Sequence, residues 1–183
     1  MELKGKHVGL AVTGSFCTFA KIEQEIRHLK ETGAVLHPIF SGSVQSTDSR
    51  FGDTGEFMDR ITAITEMKPI LKIEEAEPIG PKGYLDVLLI APCTGSTLGK
   101  LACGIADTTV TLAAKAHLRN CRPILLAPST NDGLAVSARN LGQLMARKYI
   151  YLVPFRQDDP EGKPASLVAD FSLVADAAQA ALE

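Results

Sequence analysis

The stretch LDVLLIAPCTGSTLGK, residues 85–100, decides how the rest of the chain reads. Residues 85–91 form a strand-sized apolar run around Val-Leu-Leu-Ile. Such a run, with no polar residue in alternation, is what a parallel strand needs when helices cover both of its faces. Pro92-Cys93-Thr94-Gly95-Ser96-Thr97 then supplies turn and N-cap residues, and a helix is expected to about Gly104.

The same alternation continues in both directions. Upstream, residues 7–12 read as a buried strand feeding Thr13-Gly14-Ser15. A helix over 18–32 places Phe19, Ile22, Ile26 and Leu29 on one face, with Gly33 as its C-terminal stop. A second strand over 34–40 ends in Ser41-Gly42, and the polar residues 43–52 read as a loop. Asp53 and Glu56 have capping-box spacing before a helix carrying Phe57, Met58, Ile61 and Ile64, which Pro69 should stop. Residues 70–81 are ambiguous, and 77–82 read as a loop. Downstream, a helix over 108–118 and a strand over 123–127 lead into Pro128-Ser129-Thr130-Asn131-Asp132. A helix to about Lys148, a strand over 149–153, a charged Pro/Gly loop over 154–164 and an amphipathic helix over 167–182 complete the pattern. The expected fold class is α/β: a three-layer α/β/α Rossmann-like fold with a mainly parallel sheet, as one domain over 1–183.

The 183 residues carry a formal net charge of -2, 45% hydrophobic and 22% charged residues, which is ordinary globular composition. No basic run offers nucleic acid a footprint, and no apolar run approaches the ~20 residues that cross a bilayer. The first residues lack the apolar core of a signal peptide, so a cytoplasmic location is expected. Cys17, Cys93, Cys103 and Cys121 form no C-x-x-C pair and have no histidine cluster near them, so neither zinc nor a redox motif is expected.

Ligands of open α/β sheets bind outside the carboxyl ends of the strands. Four predicted strand ends here carry small hydroxyl or glycine residues: Thr13-Gly14-Ser15, Ser41-Gly42, Thr94-Gly95-Ser96-Thr97 and Ser129-Thr130-Asn131. Taken singly, each could be a mere helix cap. Together on one sheet edge they point to a phosphate-bearing ligand, because helix N-termini and glycine backbones accept phosphate closely. The first turn lacks G-x-G-x-x-G, the second strand ends without a carboxylate, and no G-x-x-x-x-G-K-[ST] occurs. Nicotinamide in its usual pose and a P-loop nucleotide are therefore disfavoured, and flavin mononucleotide (FMN) fits better. The candidate cofactor contacts are Gly14, Ser15, Ser41, Thr94, Ser96, Thr97 and Asn131. Cys17 and Cys93 fall beside them, but the sequence shows no base or cation to activate a thiol.

The runs PCTGSTLGKLACGIAD and APSTND resemble the flavoprotein family of cysteine decarboxylases, matching its flavin-lining loops at Pro92, Thr94, Ser96, Thr97, Pro128 and Asn131. Within it the whole chain is similar to the family of dipicolinate synthase B subunits, through LKGKHVGLAVTGSFCTF, STDSRFG, KPILKIEEAEPIGPK and LLIAPCTGSTLGKLA. That resemblance implies an oxidoreductase subunit that works with a nicotinamide (NADP)-dependent A subunit. Their substrate would be a hydroxylated tetrahydrodipicolinate, converted to dipicolinate in the mother cell of a sporulating bacterium. It also implies FMN and a trimer-based homo-oligomer. A dicarboxylate ligand calls for cations, and Arg50 and Lys82, in loops with family-specific flanks, are the candidates. The sequence departs from the decarboxylase pattern at Ser96, where asparagine is usual. It also departs in its histidines, since His7, His28, His37 and His117 all fall within strands or helices rather than in the role of the family's base. The alternative readings are a flavin-dependent decarboxylase and a non-catalytic partner subunit.

Overall fold

The computed structural model describes residues 3–47 and 52–183. Its centre is the strand expected from the apolar run, β3 (Val87–Cys93), in which all seven residues are buried. It lies beside β1 (His7–Val12), which also pairs with β2 (Val35–Phe40), and beside β4 (Ile124–Thr130); all three pairings are parallel. Successive β3 side chains enter opposite cores. Val87, Leu89 and Ala91 meet the layer of α1 (Phe19–Glu31), α3 (Thr54–Thr65) and α9 (Val174–Leu182). Leu88 and Ile90 meet α6 (Gly95–Cys103), α7 (Thr109–Leu118) and α8 (Val136–Met145). Each fully buried leucine or isoleucine stabilises the fold by roughly 1.5–3 kcal/mol, so this strand fixes both layers at once.

The sheet has seven strands in the order β2-β1-β3-β4-β7-β6, with β5 (Ile150–Leu152) pairing off that path with β4. The direction of chain travel reverses between β1 and β3, so the switch point lies beside the first strand, as the sequence suggests. The three-layer α/β architecture is thus as expected, but its far edge is not. Residues 154–164, read as a loop, contain the strand β6 (Phe155–Asp159), and the expected helix over 167–182 begins with the end of β7 (Lys163–Ala169). These two strands form an antiparallel hairpin that pairs through β7 with Ser129 and Thr130 of β4. Its turn is held by Asp159 Oδ1, which accepts from Gly162 N at 2.9 Å. Arg156 to Asp159 are all exposed, so the strand lacks the apolar alternation that would announce it. Pairing to an available edge overrides that weak local propensity.

Smaller corrections share that cause. Part of the expected loop 43–52 is the short helix α2 (Gly42–Ser46), anchored by buried Val44. Two further one-turn helices, α4 (Ile73–Ala76) and α5 (Ile79–Lys82), occupy the ambiguous and loop-like residues, each burying an apolar residue against α7. Asp53 caps α3 by accepting from Gly55 N and Glu56 N, and the helix ends at left-handed Glu66, before Pro69. Helix α8 stops at Met145, short of Lys148. Among the described residues no helix is long and apolar enough to cross a membrane.

Candidate functional site

The carboxyl ends of β1, β3 and β4 and the antiparallel strand β7, from Lys163 at its start to Val168, converge on an open cavity of about 860 Å³. Buried Thr13, just past β1, joins two of these ends: its Oγ1 donates to Pro92 O at 2.7 Å and accepts from Thr94 N at 3.1 Å. Ser15 and Ser129 join the end of β1 to that of β4, with their hydroxyls 2.7 Å apart. The loop after β1 is thereby tied to both neighbouring strands, and the cavity floor is a network of neutral hydroxyls.

Helix α6 begins at this floor. Thr94 is its N-cap, accepting from Thr97 N at 3.4 Å, with the two threonine hydroxyls 3.0 Å apart. The N–H groups of Gly95 and Ser96 have no acceptor within the helix, as the first turn of any helix dictates. A side chain at Gly95 would have no room: its Cβ would lie 2.6 Å from Thr130 Oγ1, 2.9 Å from Asp132 Oδ1 and 2.9 Å from Ser137 Oγ. At Gly14 the nearest obstacle is Ser43 Oγ, 2.8 Å away. Thr130 and Ser137 both donate to Asp132 Oδ1, at 2.5 and 2.7 Å, and these bonds hold its carboxyl below the usual carboxylate range. Asp132 therefore stays an anion whose hydrogen bonds are spent on its own loop.

The remaining wall comes from α1 and the hairpin. Cys17 and Lys21 line it from one side, and Asp158, Lys163 and Ser166 from the other. Lys163 Nζ donates to Asp158 at 3.1 Å, and that bond pushes its ammonium above the ordinary lysine value. The hairpin thus brings a cation to the cavity that Cys17 also lines, which the sequence alone could not show. Cys93, by contrast, is fully buried, and burial pushes its thiol far up, so it is inert.

Of the residues expected at a cofactor site, Gly14, Ser15, Thr94, Ser96 and Asn131 line this cavity. Thr97 and Ser41 do not: the Thr97 hydroxyl turns back to that of the N-cap Thr94, and Ser41 bonds Ser43 at 2.9 Å behind Gly14. Lys82 is elsewhere. Helix α5 is fastened by Asn120, whose Nδ2 donates to Gly80 O at 2.9 Å, and by Arg122, which donates to Gly83 O. Both residues precede β4, so Lys82 sits at the amino edge, opposite the cavity. Arg50 lies outside the described residues. Thr13, Ser129, Thr130 and Asp132 belong to strand-end turns that the sequence marks without naming them as contacts, and Lys21 and Lys163 escaped the sequence reading. Ser129 and Thr130 belong to a strand-end motif that could have flagged them, whereas nothing local to Lys163 signals its place.

Among the described residues no histidine lines the cavity. His7 and His37 stack at the amino edge with Nδ1 and Nε2 2.9 Å apart, His117 Nε2 bonds Pro123 O at 3.0 Å, and His28 is beside Glu25 on α1.

The family model described as Flavoprotein matches residues 1–177. The B subunit of dipicolinate synthase from Bacillus subtilis (strain 168) is 43% identical over 181 residues, covering 99% of this chain and 90% of that protein. The crystal structure of the corresponding B subunit from Bacillus halodurans C superposes with a TM-score of 0.90 at 42% identity, covering 100% of this chain and 93% of the other. The FMN-dependent cysteine decarboxylase SpaF shares the fold, with a TM-score of 0.70 at 21% identity and full coverage of both chains.

Proposed function

This chain belongs to the Flavoprotein family, and from that premise we propose that it binds FMN at the carboxyl edge and serves as the B subunit of a dipicolinate synthase. The observation that carries the reading is the meeting of three strand ends around Gly95. There the start of α6 offers free backbone N–H groups to the cavity, and the absence of a side chain at Gly95 lets Thr130, Asp132 and Ser137 pack directly against that turn. A backbone cradle of this kind, ringed by Ser15, Ser96 and Ser129, suits a phosphomonoester. The residues present therefore fit FMN: Gly95 and Ser96 would hold the phosphate with their N–H groups and Gly14 would let the ligand approach, while Asn131 offers an amide to a ring edge. When bound, flavin supplies a two-electron acceptor.

The proposed overall reaction removes one water from a hydroxylated tetrahydrodipicolinate, then two electrons and two protons, to leave the aromatic ring. NADP+, reached through the A subunit, takes two electrons and one proton as a hydride, and the second proton is released to water. The chain's own residues bind and orient. Asp132, kept anionic and already hydrogen-bonded, shapes the loop under Gly95 rather than moving protons. The histidine-free lining weighs against the decarboxylase alternative, whose base is a histidine. The proposed assembly is a homo-oligomer of single-domain chains, 1–183, that docks the A subunit in the mother-cell cytoplasm.

Adding FMN to the purified protein tests the reading. A red-shifted visible spectrum with quenched flavin fluorescence, and weaker binding of riboflavin, is the expected result. If FMN and riboflavin both fail to bind at millimolar concentration, the cofactor assignment is wrong. Dipicolinate formation by the A subunit with and without this chain then separates a catalytic role from that of a docking partner.

A further inference from the structure

Lys21 and Lys163 are the lysine or arginine side chains that line the cavity among the described residues. They come from distant parts of the sequence. Lys21 is in the first turn of α1, and Lys163 opens β7. Cys17 lies one helical turn before Lys21, and the cavity brings both together with Lys163 from the hairpin. Their states differ. Lys163 is held by Asp158 in an exposed ion pair, with side chains 55% and 37% accessible. Lys21 makes no ion pair or hydrogen bond with any described residue. An exposed pair contributes little against water, about 0–1 kcal/mol, so Asp158 is readily replaced by another carboxylate.

The rest of the lining has a different chemistry. It presents neutral hydroxyls and the backbone start of α6, and its one carboxylate, Asp132, is already satisfied. The cavity therefore has a neutral donor end and a two-cation end. A phosphomonoester is served by the first. The second suits a ligand with two separate anionic groups, because one cation is free and the other is loosely held.

We propose that Lys21 and Lys163 are the substrate-binding cations of this cavity, each receiving one carboxylate of a planar ring dicarboxylate, with Asp158 swinging to solvent as a ligand carboxylate takes its place at Lys163. This rests on the reading of the cavity as a dipicolinate-synthase site, and it replaces Lys82, which faces the other edge of the sheet. Asp158 acts as a placeholder that keeps Lys163 from trapping a single stray anion.

Calorimetric titration with pyridine-2,6-dicarboxylate, and with pyridine-2-carboxylate as the single-anion control, tests it on the full chain with and without FMN. The dicarboxylate should bind at least about tenfold more tightly than the control. Lys21→Gln and Lys163→Gln should each weaken it about fivefold and narrow that preference, whereas Asp158→Asn should strengthen it about threefold. All three positions are exposed, and a thermal melt on each variant confirms folding. Unchanged dicarboxylate affinity in both lysine variants overturns the inference while leaving the dipicolinate reading in place. Loss of FMN binding in the lysine variants also overturns it, since the cations would then serve the flavin phosphate. No dicarboxylate binding to the native chain overturns it too, and the FMN titration then reports separately on the cofactor assignment.

Discussion

The two edges of the sheet use similar polar residues to opposite ends. At the carboxyl edge, hydroxyls bond one another across loops, as Ser15 does Ser129, while backbone N–H groups and a lysine are left open to the cavity. At the amino edge, the polar groups are closed on backbone or on each other. Arg122 donates to Gly83 O and Leu85 O, Asn120 to Gly80 O, and His117 to Pro123 O. His7 N donates to Asp86 Oδ2 at 2.8 Å, and the His7 ring meets His37, against which Tyr84 lies at 5.2 Å. The amino edge is a lock and the carboxyl edge a receptacle. Polar residues reveal a binding site by the hydrogen bonds they leave unmade, more than by their number.

That contrast can be broken in four ways. Gly95→Val should do most: its side chain collides with Thr130, Asp132 and Ser137, and FMN titration should show a loss of ~100-fold or more. If FMN binds normally, the receptacle has been misplaced. Next comes acid. Burial, chiefly, lowers His37 and His117 to about 4 from 6.5. Because the folded values lie below the unfolded one, both rings fold neutral and the unfolded chain binds more protons. Stability is therefore complete above pH ~6.5 and drains away as pH falls toward ~4. For His117, which is 1% exposed, that amounts to on the order of 3 kcal/mol. Urea melts at stepped pH should show the slope, and His117→Gln should flatten it; an unchanged slope would remove His117 from the lock. Third, Arg122→Met should cost about 2 kcal/mol of stability in the same melts and leave FMN affinity alone. A parallel loss of affinity would mean the edges are coupled. The smallest effect is expected for Ser15→Ala, which should weaken FMN about threefold and barely move the melt.

The parts of the molecule legible in the sequence are those where local pattern and tertiary role agree. β3 has a readable pattern because both faces are buried, and α1 has one because Ile22, Ile26 and Leu29 recur at helical spacing on its buried side. The hairpin is hidden because its strands gain their place from the uncovered edge of β4, not from their own exposed, charged residues. The site divides the same way. Gly14, Ser15, Thr94, Ser96 and Asn131 are brought to one cavity because strand-end turns of recognisable chemistry share one sheet edge. Lys21 and Lys163 could not be picked out, since a charged residue on a helix or hairpin looks solvated until its neighbours are known. The hydroxyls of Thr97 and Ser41, at the same kind of turn, meet the neighbouring hydroxyls of Thr94 and Ser43 and do not line the cavity.

Strand β4 changes partner along its length, pairing with β5 at Ile124–Leu126 and with β7 at Ser129 and Thr130. The second pairing sets an order on the birth of the protein. When residue 130 leaves the ribosome, the wall that β7 will supply is still unmade, and at ~5–20 residues per second about 2–8 s pass before residue 168 is added. During that interval the floor of hydroxyls can assemble, but the two-cation wall cannot. The cavity is consequently completed late in synthesis: a nascent chain stalled before the hairpin carries the hydroxyl floor and Lys21 but lacks Lys163 and Ser166.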